Sequence, residues 1–199
     1  MFDRFEYLEI IASTNDYLKA FTGDGRPRAV RAGEQTAGKG RSGKSWLSEP
    51  GLGLYVSYLV FPDWLAGQAP YFNQIASLAV LESIRRCGGS GLDLRIKEPN
   101  DIYIAKRKVC GLLTELSTFR ERIQWAIVGA GVNLAHQSFP PALQDKATSL
   151  HLEGLAVDAA RLCSHLTERF EHHYRLVSEG SGKAVARRYA AEKKLEAGD

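Results

Sequence analysis

The alternation of apolar and polar positions divides the chain into short extended segments and two long helices. Residues 5–11, apolar but for Glu6 and Glu9, predict a strand, after which Ser13-Thr14-Asn15-Asp16 supplies capping side chains for a short helix bearing Tyr17, Leu18, Ala20 and Phe21. Strands follow at 28–34 and at 54–61, where Leu-Tyr-Val-Ser-Tyr-Leu-Val-Phe is apolar but for one serine. Between 71 and 86, Phe72, Ile75, Ala76, Leu78, Ala79 and Leu81 fall on more than one helical face, which predicts a core helix ended by Gly88-Gly89, with no chemistry in its interior. Shorter strands at 92–96, 102–104 and 109–116 lead to one at 123–128. That segment is apolar on both faces, hence central, and is expected to end in Gly129-Ala130-Gly131-Val132-Asn133. Such glycines fit a ligand lying on the backbone or two closely packed elements, and spacing alone leaves both open. After a loop at 136–146, Leu162, Leu166, Phe170, Tyr174 and Val177 stripe a helix over 157–177, and a charged helical tail covers 183–195.

Between the second and third strands lies Gln35-Thr-Ala-Gly-Lys-Gly-Arg-Ser-Gly-Lys-Ser-Trp46, in which Gly38, Gly40 and Gly43 interleave with Lys39, Arg41 and Lys44. Backbone amides and positive charge approach an anion together in such a loop. The segment also spells G-x-G-x-x-G, but a dinucleotide site needs a helix opening within the motif, and Pro50, Gly51 and Gly53 follow instead. A P-loop is set aside as well. What remains is a flexible cationic loop that takes its order from a ligand, with Trp46 as a packing anchor at its edge.

Composition narrows the classes. A chain of 199 residues suits one domain, and its net charge of +3, spread among 23 acids, is too mild to announce a nucleic-acid binder. Cys87, Cys110 and Cys163 form no C-x-x-C pair, so reduced thiols in a cytoplasmic protein are expected rather than a disulfide frame or a zinc site. No apolar run approaches membrane length. His165, Glu168 and His172 share a helical face, yet Arg161 and Arg169 crowd the same turns, so a solvated face is expected and no bound metal.

A second polar cluster, Lys97-Glu98-Pro99-Asn100-Asp101, ends the strand at 92–96. A buried lysine beside a proline-fixed turn suits neutralising a phosphate or carboxylate, and the Asn-Asp pair suits a hydroxyl or a magnesium ion.

Five ordered segments, Ser13-Thr14-Asn15, Gln35 to Trp46, Lys97 to Asp101, Arg107-Lys-Val-Cys-Gly-Leu-Leu-Thr-Glu115 and Gly129 to Asn133, resemble the catalytic domain of biotin protein ligases, over about residues 7 to 178. The resemblance implies an α/β (α+β) fold: a central mixed sheet flanked by helices, class II synthetase-like and shared with lipoate ligases. It implies that biotin and ATP, with Mg2+, give biotinyl-AMP, and that the biotinyl group then passes to a lysine of a biotin carboxyl carrier protein. On this basis Lys97 and Arg41 are the catalytic pair. Ser13, Thr14, Asn15, Gln35, Lys39, Gly40 and Gly111 hold biotin with them, and Lys44, Trp46, Asn100, Lys108 and Asn133 face the nucleotide. The chain departs from the family where Lys39 and Lys44 replace arginines and where Glu98 replaces a tryptophan. Glu98 leaves room for lipoate or another small acid, and a non-catalytic biotin-binding protein is the other alternative. The short type implies no DNA and no membrane partner, and a sheet edge suits pairing with a second copy. The ligase domain is expected over 1–180 and a helical tail over 181–199, without the family's C-terminal barrel.

Overall fold

The structure, a computed structural model, describes residues 1–2 and 4–193. Seven strands form one mixed sheet: β1 (Arg4–Ile11), β2 (Arg28–Gln35), β3 (Gly53–Val60), β4 (Leu94–Lys97), β5 (Asp101–Ile104), β6 (Arg107–Phe119) and β7 (Arg122–Asn133). Their order is β1-β2-β3-β7-β6-β5-β4, and only β1 and β2 run parallel. β3 and β7 lie inside the sheet, as their apolar runs require, and every residue of β3 is buried.

The strand expected to end at 128 instead continues through Gly129 to Asn133. It has partners on both sides over that stretch, with Asn133 opposite Gly53 of β3 and Val132 opposite Cys110 of β6. The glycine segment is therefore part of the sheet and not a loop after it.

The two faces are covered unequally. On one, α2 (Pro70–Arg86), α3 (Ala159–Leu176) and α4 (Gly182–Ala191) pack over Val56, Tyr58, Ile96, Ile102, Leu112 and Val128 to make the main core. On the other, among the described residues, the one α-helix is α1 (Thr14–Lys19), whose Leu18 joins Val30, Leu59 and Ile127. A six-residue helix reaches over β2, β3 and β7 and leaves the rest of that face open. Toward it the neighbouring strands turn Ser57, Gly111, Gly129 and Gly131, beside Leu113. Alternation along each strand thus assigns one face to the core and the other to a cleft.

Two further expectations change. Val185 and Tyr189 of α4 are buried in the main core, and Arg85 of α2 makes a two-pronged pair with Glu192 at 2.6 and 2.8 Å. The helical tail expected over 181–199 therefore packs on the main core as far as it is described, and positions 194–199 lie outside the described residues. The interior of α2 also carries a charge cluster, because half-buried Glu82 faces Arg169, His173 and Arg188. Burial alone would raise its carboxyl, but His173 and Arg169 outweigh it and hold it at about 2, so the knot tying three helices stays charged at neutral pH. Within α3 the buried histidine is thus His173, while Glu168 pairs with Arg86 at the surface. All three cysteines are buried and free, and among the described residues no helix is long and apolar enough to cross a membrane.

Candidate active site

The open half of the sheet is roofed by the glycine loop. Far from being shapeless, the loop is a closed hairpin: Gly40 N–H donates to Lys44 O at 2.7 Å and Trp46 N–H to Gly38 O at 2.8 Å. Ser42 and Gly43 turn the chain with φ of 55° and 74°, the left-handed region that glycine adopts freely. The spacing of Gly38 and Gly43-Lys44-Ser45 does satisfy the P-loop pattern. What excludes a P-loop is geometry, because Lys44 is extended at φ −73° and ψ 148° and no helix starts there.

Beneath the loop lies a narrow cleft. Its floor is a set of hydrogen bonds with fixed direction. Thr14 donates to Gln35 Oε1 from its backbone N–H (2.8 Å) and its hydroxyl (2.9 Å), which forces the Gln35 amide nitrogen to the other side, where it donates to Ser48 Oγ at 3.0 Å. Asn15 is oriented likewise, its amide nitrogen donating to Glu115 Oε2 at 2.8 Å and its oxygen accepting from Ser57 Oγ at 2.6 Å. Ser13 caps α1 by accepting from Asp16 N–H, which leaves its hydroxyl proton free for another acceptor.

The glycines of β6 and β7 explain how the wall is built. A methyl on Gly131 would stand 2.4 Å from Trp46 Nε1, one on Gly111 2.8 Å from the same ring, and one on Gly129 2.3 Å from Asn15 Oδ1. Close packing is therefore why these positions are bare: the indole packs against two strands, and among the described residues its buried N–H has no partner.

Of the expected biotin contacts, Ser13, Thr14, Asn15, Gln35, Lys39, Gly40, Arg41 and Gly111 all line this cleft. A second, wider opening on the other side of Arg41 is lined by Lys44, Trp46, Asn100, Lys108 and Asn133, together with Tyr103, Phe139, Leu143 and Lys146. Gly40, Arg41, Trp46, Asn100 and Lys108 line both, so the cavities meet there. At the junction Arg41 donates to Asn100 Oδ1 at 3.0 Å, Asn100 donates to Leu112 O at 2.8 Å, and Lys108 Nζ sits 2.7 Å from Asp101 Oδ1 and 5.1 Å from the Trp46 ring centre. Asn133 is buried and pinned by donating to Thr148 O.

Lys97 is the exception. Expected to be buried and central, it is exposed at the end of β4, over Tyr103 at 5.1 Å, and lines neither cavity. The reason is strand placement: Lys97 ends the edge strand β4, paired with Asp101 of β5, whereas Lys108 pairs with Tyr103 from β6, two strands farther in, against Gly111 and Trp46. Glu98 also differs from expectation, for its carboxylate turns outward to Lys193 at 2.8 Å and meets the rim of the wider cavity only.

The residues do not fit a magnesium ion held by the protein. Asp101 is engaged by Lys108 and Asn100 by Arg41, and among the described residues no group of three or more His, Cys, Asp or Glu could hold a metal.

Sequence reasoning missed Ser57, Ser48, Asp16 and the oriented Glu115. Ser57 had a signal, as the lone polar residue inside an apolar central strand. Tyr103 and Phe139 had none, because only the fold brings them to one cavity.

The chain is 36% identical over 174 residues to the bifunctional ligase/repressor BirA of Bacillus spizizenii, covering 85% of this chain and 53% of that protein. It is 36% identical over 138 residues to the biotin–[acetyl-CoA-carboxylase] ligase of Paracoccus denitrificans, covering 68% and 57%. The chain thus spans about half the length of the curated relatives it matches. Among solved structures, the biotin protein ligase from Aquifex aeolicus in complex with biotin and ATP superposes with a TM-score of 0.76 at 27% identity, over 96% of this chain and 79% of that one. Residues 7–133 match the biotin/lipoate A/B protein ligase family, and the chain belongs to that family.

Proposed function

We propose that the chain activates biotin with ATP as biotinyl-AMP and transfers the biotinyl group to a lysine of a biotin carboxyl carrier protein. The observation that carries this reading is the junction, where one cationic pair, Lys108 and Arg41, faces two cavities at once. Joining a carboxylate to a phosphate brings two anions together, and only cations at their meeting point make that approach tolerable.

Each cavity suits one reactant. In the narrow cleft, Ser13, Thr14, Asn15 and Gln35 present fixed donors and acceptors to the head of a ligand, as a ureido ring requires. Trp46 and the glycine strands flank its aliphatic chain, and the carboxylate reaches Lys108 and Arg41. In the wider opening, Tyr103 and Phe139 offer rings for a base, while Lys44, Lys108 and Lys146 offer charge for phosphates. Magnesium enters as the counter-ion of ATP. The carboxylate oxygen attacks the α-phosphorus, the bond to pyrophosphate breaks, and the loop covers the mixed anhydride from water. An acceptor amine then attacks the acyl carbon, loses a proton and expels AMP. The Aquifex relative, solved with biotin and ATP together, supports the pairing of these ligands. The free thiols fit a reducing compartment such as the cytoplasm.

Lipoate fits the floor poorly, since a dithiolane makes no hydrogen bond to the Ser13 hydroxyl or to the remaining polar valences of Thr14, Asn15 and Gln35, whereas a ureido ring can, and sites built for hydrogen bonding reject such analogues. With Glu98 turned toward Lys193, nothing at the cleft favours another acid. Incubating the protein with ATP, magnesium and equal biotin and lipoate should give biotinyl-AMP by mass spectrometry, at least about 100-fold over lipoyl-AMP. Equal amounts would remove the floor as the source of selection, and no adenylate at all would leave a binding protein.

A further inference from the structure

The hydrogen bonds of the cleft continue beyond its lining. Lys39 Nζ, on the loop, lies 2.6 Å from Asp16 Oδ2, and the other oxygen of Asp16 holds Lys19 Nζ at 2.9 Å. Lys19 Nζ also reaches Glu115 Oε1 at 2.7 Å, and Glu115 Oε2 accepts from Asn15 as described. From Asn15 the path runs through Ser57 to Thr14 (2.8 Å), then by Gln35 to Ser48, whose hydroxyl donates to Trp46 O at 3.2 Å. It leaves the loop at Lys39, passes under the ligand-facing floor and rejoins the loop at Trp46. The Trp46 to Gly38 hydrogen bond closes the ring.

Asp16 and Lys19 line no part of the cleft, and the chemistry proposed above does not use them. Their arrangement still differs from a scatter of surface pairs. A lone exposed pair contributes little, but here two carboxylates and two lysines alternate, and Asp16 bridges both cations. Burial works against charge on Asp16, yet Lys39 and Lys19 outweigh it and hold its carboxyl below the ordinary value, while Glu115 raises Lys19. Asp16 therefore keeps its charge to lower pH than an ordinary aspartate does, and Lys19 to higher pH than an ordinary lysine.

We propose that Asp16 is a positioning residue that latches the glycine loop, through Lys39, to the floor of the cleft and so sets how long an activated ligand stays enclosed. The second half of this statement rests on the proposed ligase activity; the first does not.

Asp16→Asn keeps the size of the side chain and the backbone N–H that Ser13 caps, and removes only the charge. Hydrogen exchange on the unliganded protein should show the amides of Gly40 and Trp46 exchanging about fivefold faster in Asp16→Asn, with the α1 amides unchanged. Lys39→Ala should match it, the double variant should add nothing, and Lys39→Arg should retain wild-type protection. Where adenylate forms, its loss to solvent should accelerate about fivefold in Asp16→Asn, with its rate of formation within about twofold of wild type. Unchanged loop exchange, additive single effects, or loosening of α1 in step with the loop would each overturn the latch. A loosened loop in a protein whose wild type forms no adenylate would uphold the latch and refute the ligase reading instead.

Discussion

Lys108→Ala is expected to slow adenylate formation roughly 10²- to 10³-fold, while Lys97→Ala stays within about threefold of wild type. The expectation rests on where the two lysines stand. Lys108 lines both cavities and lies against Gly111, at the point where a carboxylate and a phosphate would meet; Lys97 is exposed on β4 and lines neither. Removing Lys108 also leaves Asp101 without its partner at 2.7 Å, adding an uncompensated negative charge where two more anions must gather. Pyrophosphate release in a single turnover reads the chemical step directly. A larger loss from Lys97→Ala than from Lys108→Ala would return the catalytic role to Lys97.

The second large effect should come from a residue with no chemistry of its own. In Gly131→Val the new side chain would start 2.4 Å from Trp46 Nε1 and 2.7 Å from Cε2, closer than non-bonded atoms come, so the indole must leave the wall. Gly131 sits in the middle of a paired strand, opposite Tyr55 and Gly111, where a β-branched residue suits the backbone itself. The fold should therefore survive while the partition between the cavities is lost, and biotin and ATP should each bind about 100-fold more weakly by calorimetry. Gly67→Ala, where a methyl would meet nothing within 4 Å, is the matched control. Wild-type affinities in Gly131→Val would show that the position of Trp46 does not matter for binding.

Local pattern carried the sheet well because its central strands are apolar on both faces and its helices have clear stripes. It erred at 129–133 because glycine was taken as an end, and the partners on both sides that keep β7 extended are distant in sequence. The cleft was legible in the same uneven way. Ser13 to Asn15, Gln35 and the loop cations are contiguous motifs, and the fold delivers them to one place. Lys97 and Lys108 lie on strands either side of β5, and which one lies farther in depends on strand order, which no linear motif states. The alternating charges of Asp16, Lys19, Lys39 and Glu115 were equally hidden, since each alone reads as an ordinary surface residue.

The most direct test is a crystal structure of the protein with biotin and a non-hydrolysable ATP analogue. The ureido ring should lie on Thr14 and Gln35, with the biotin carboxylate within hydrogen-bond reach of Lys108 or Arg41 and the α-phosphate beside it. A ring bound elsewhere, or a carboxylate directed away from the junction of the two cavities, would contradict the assignment of this site.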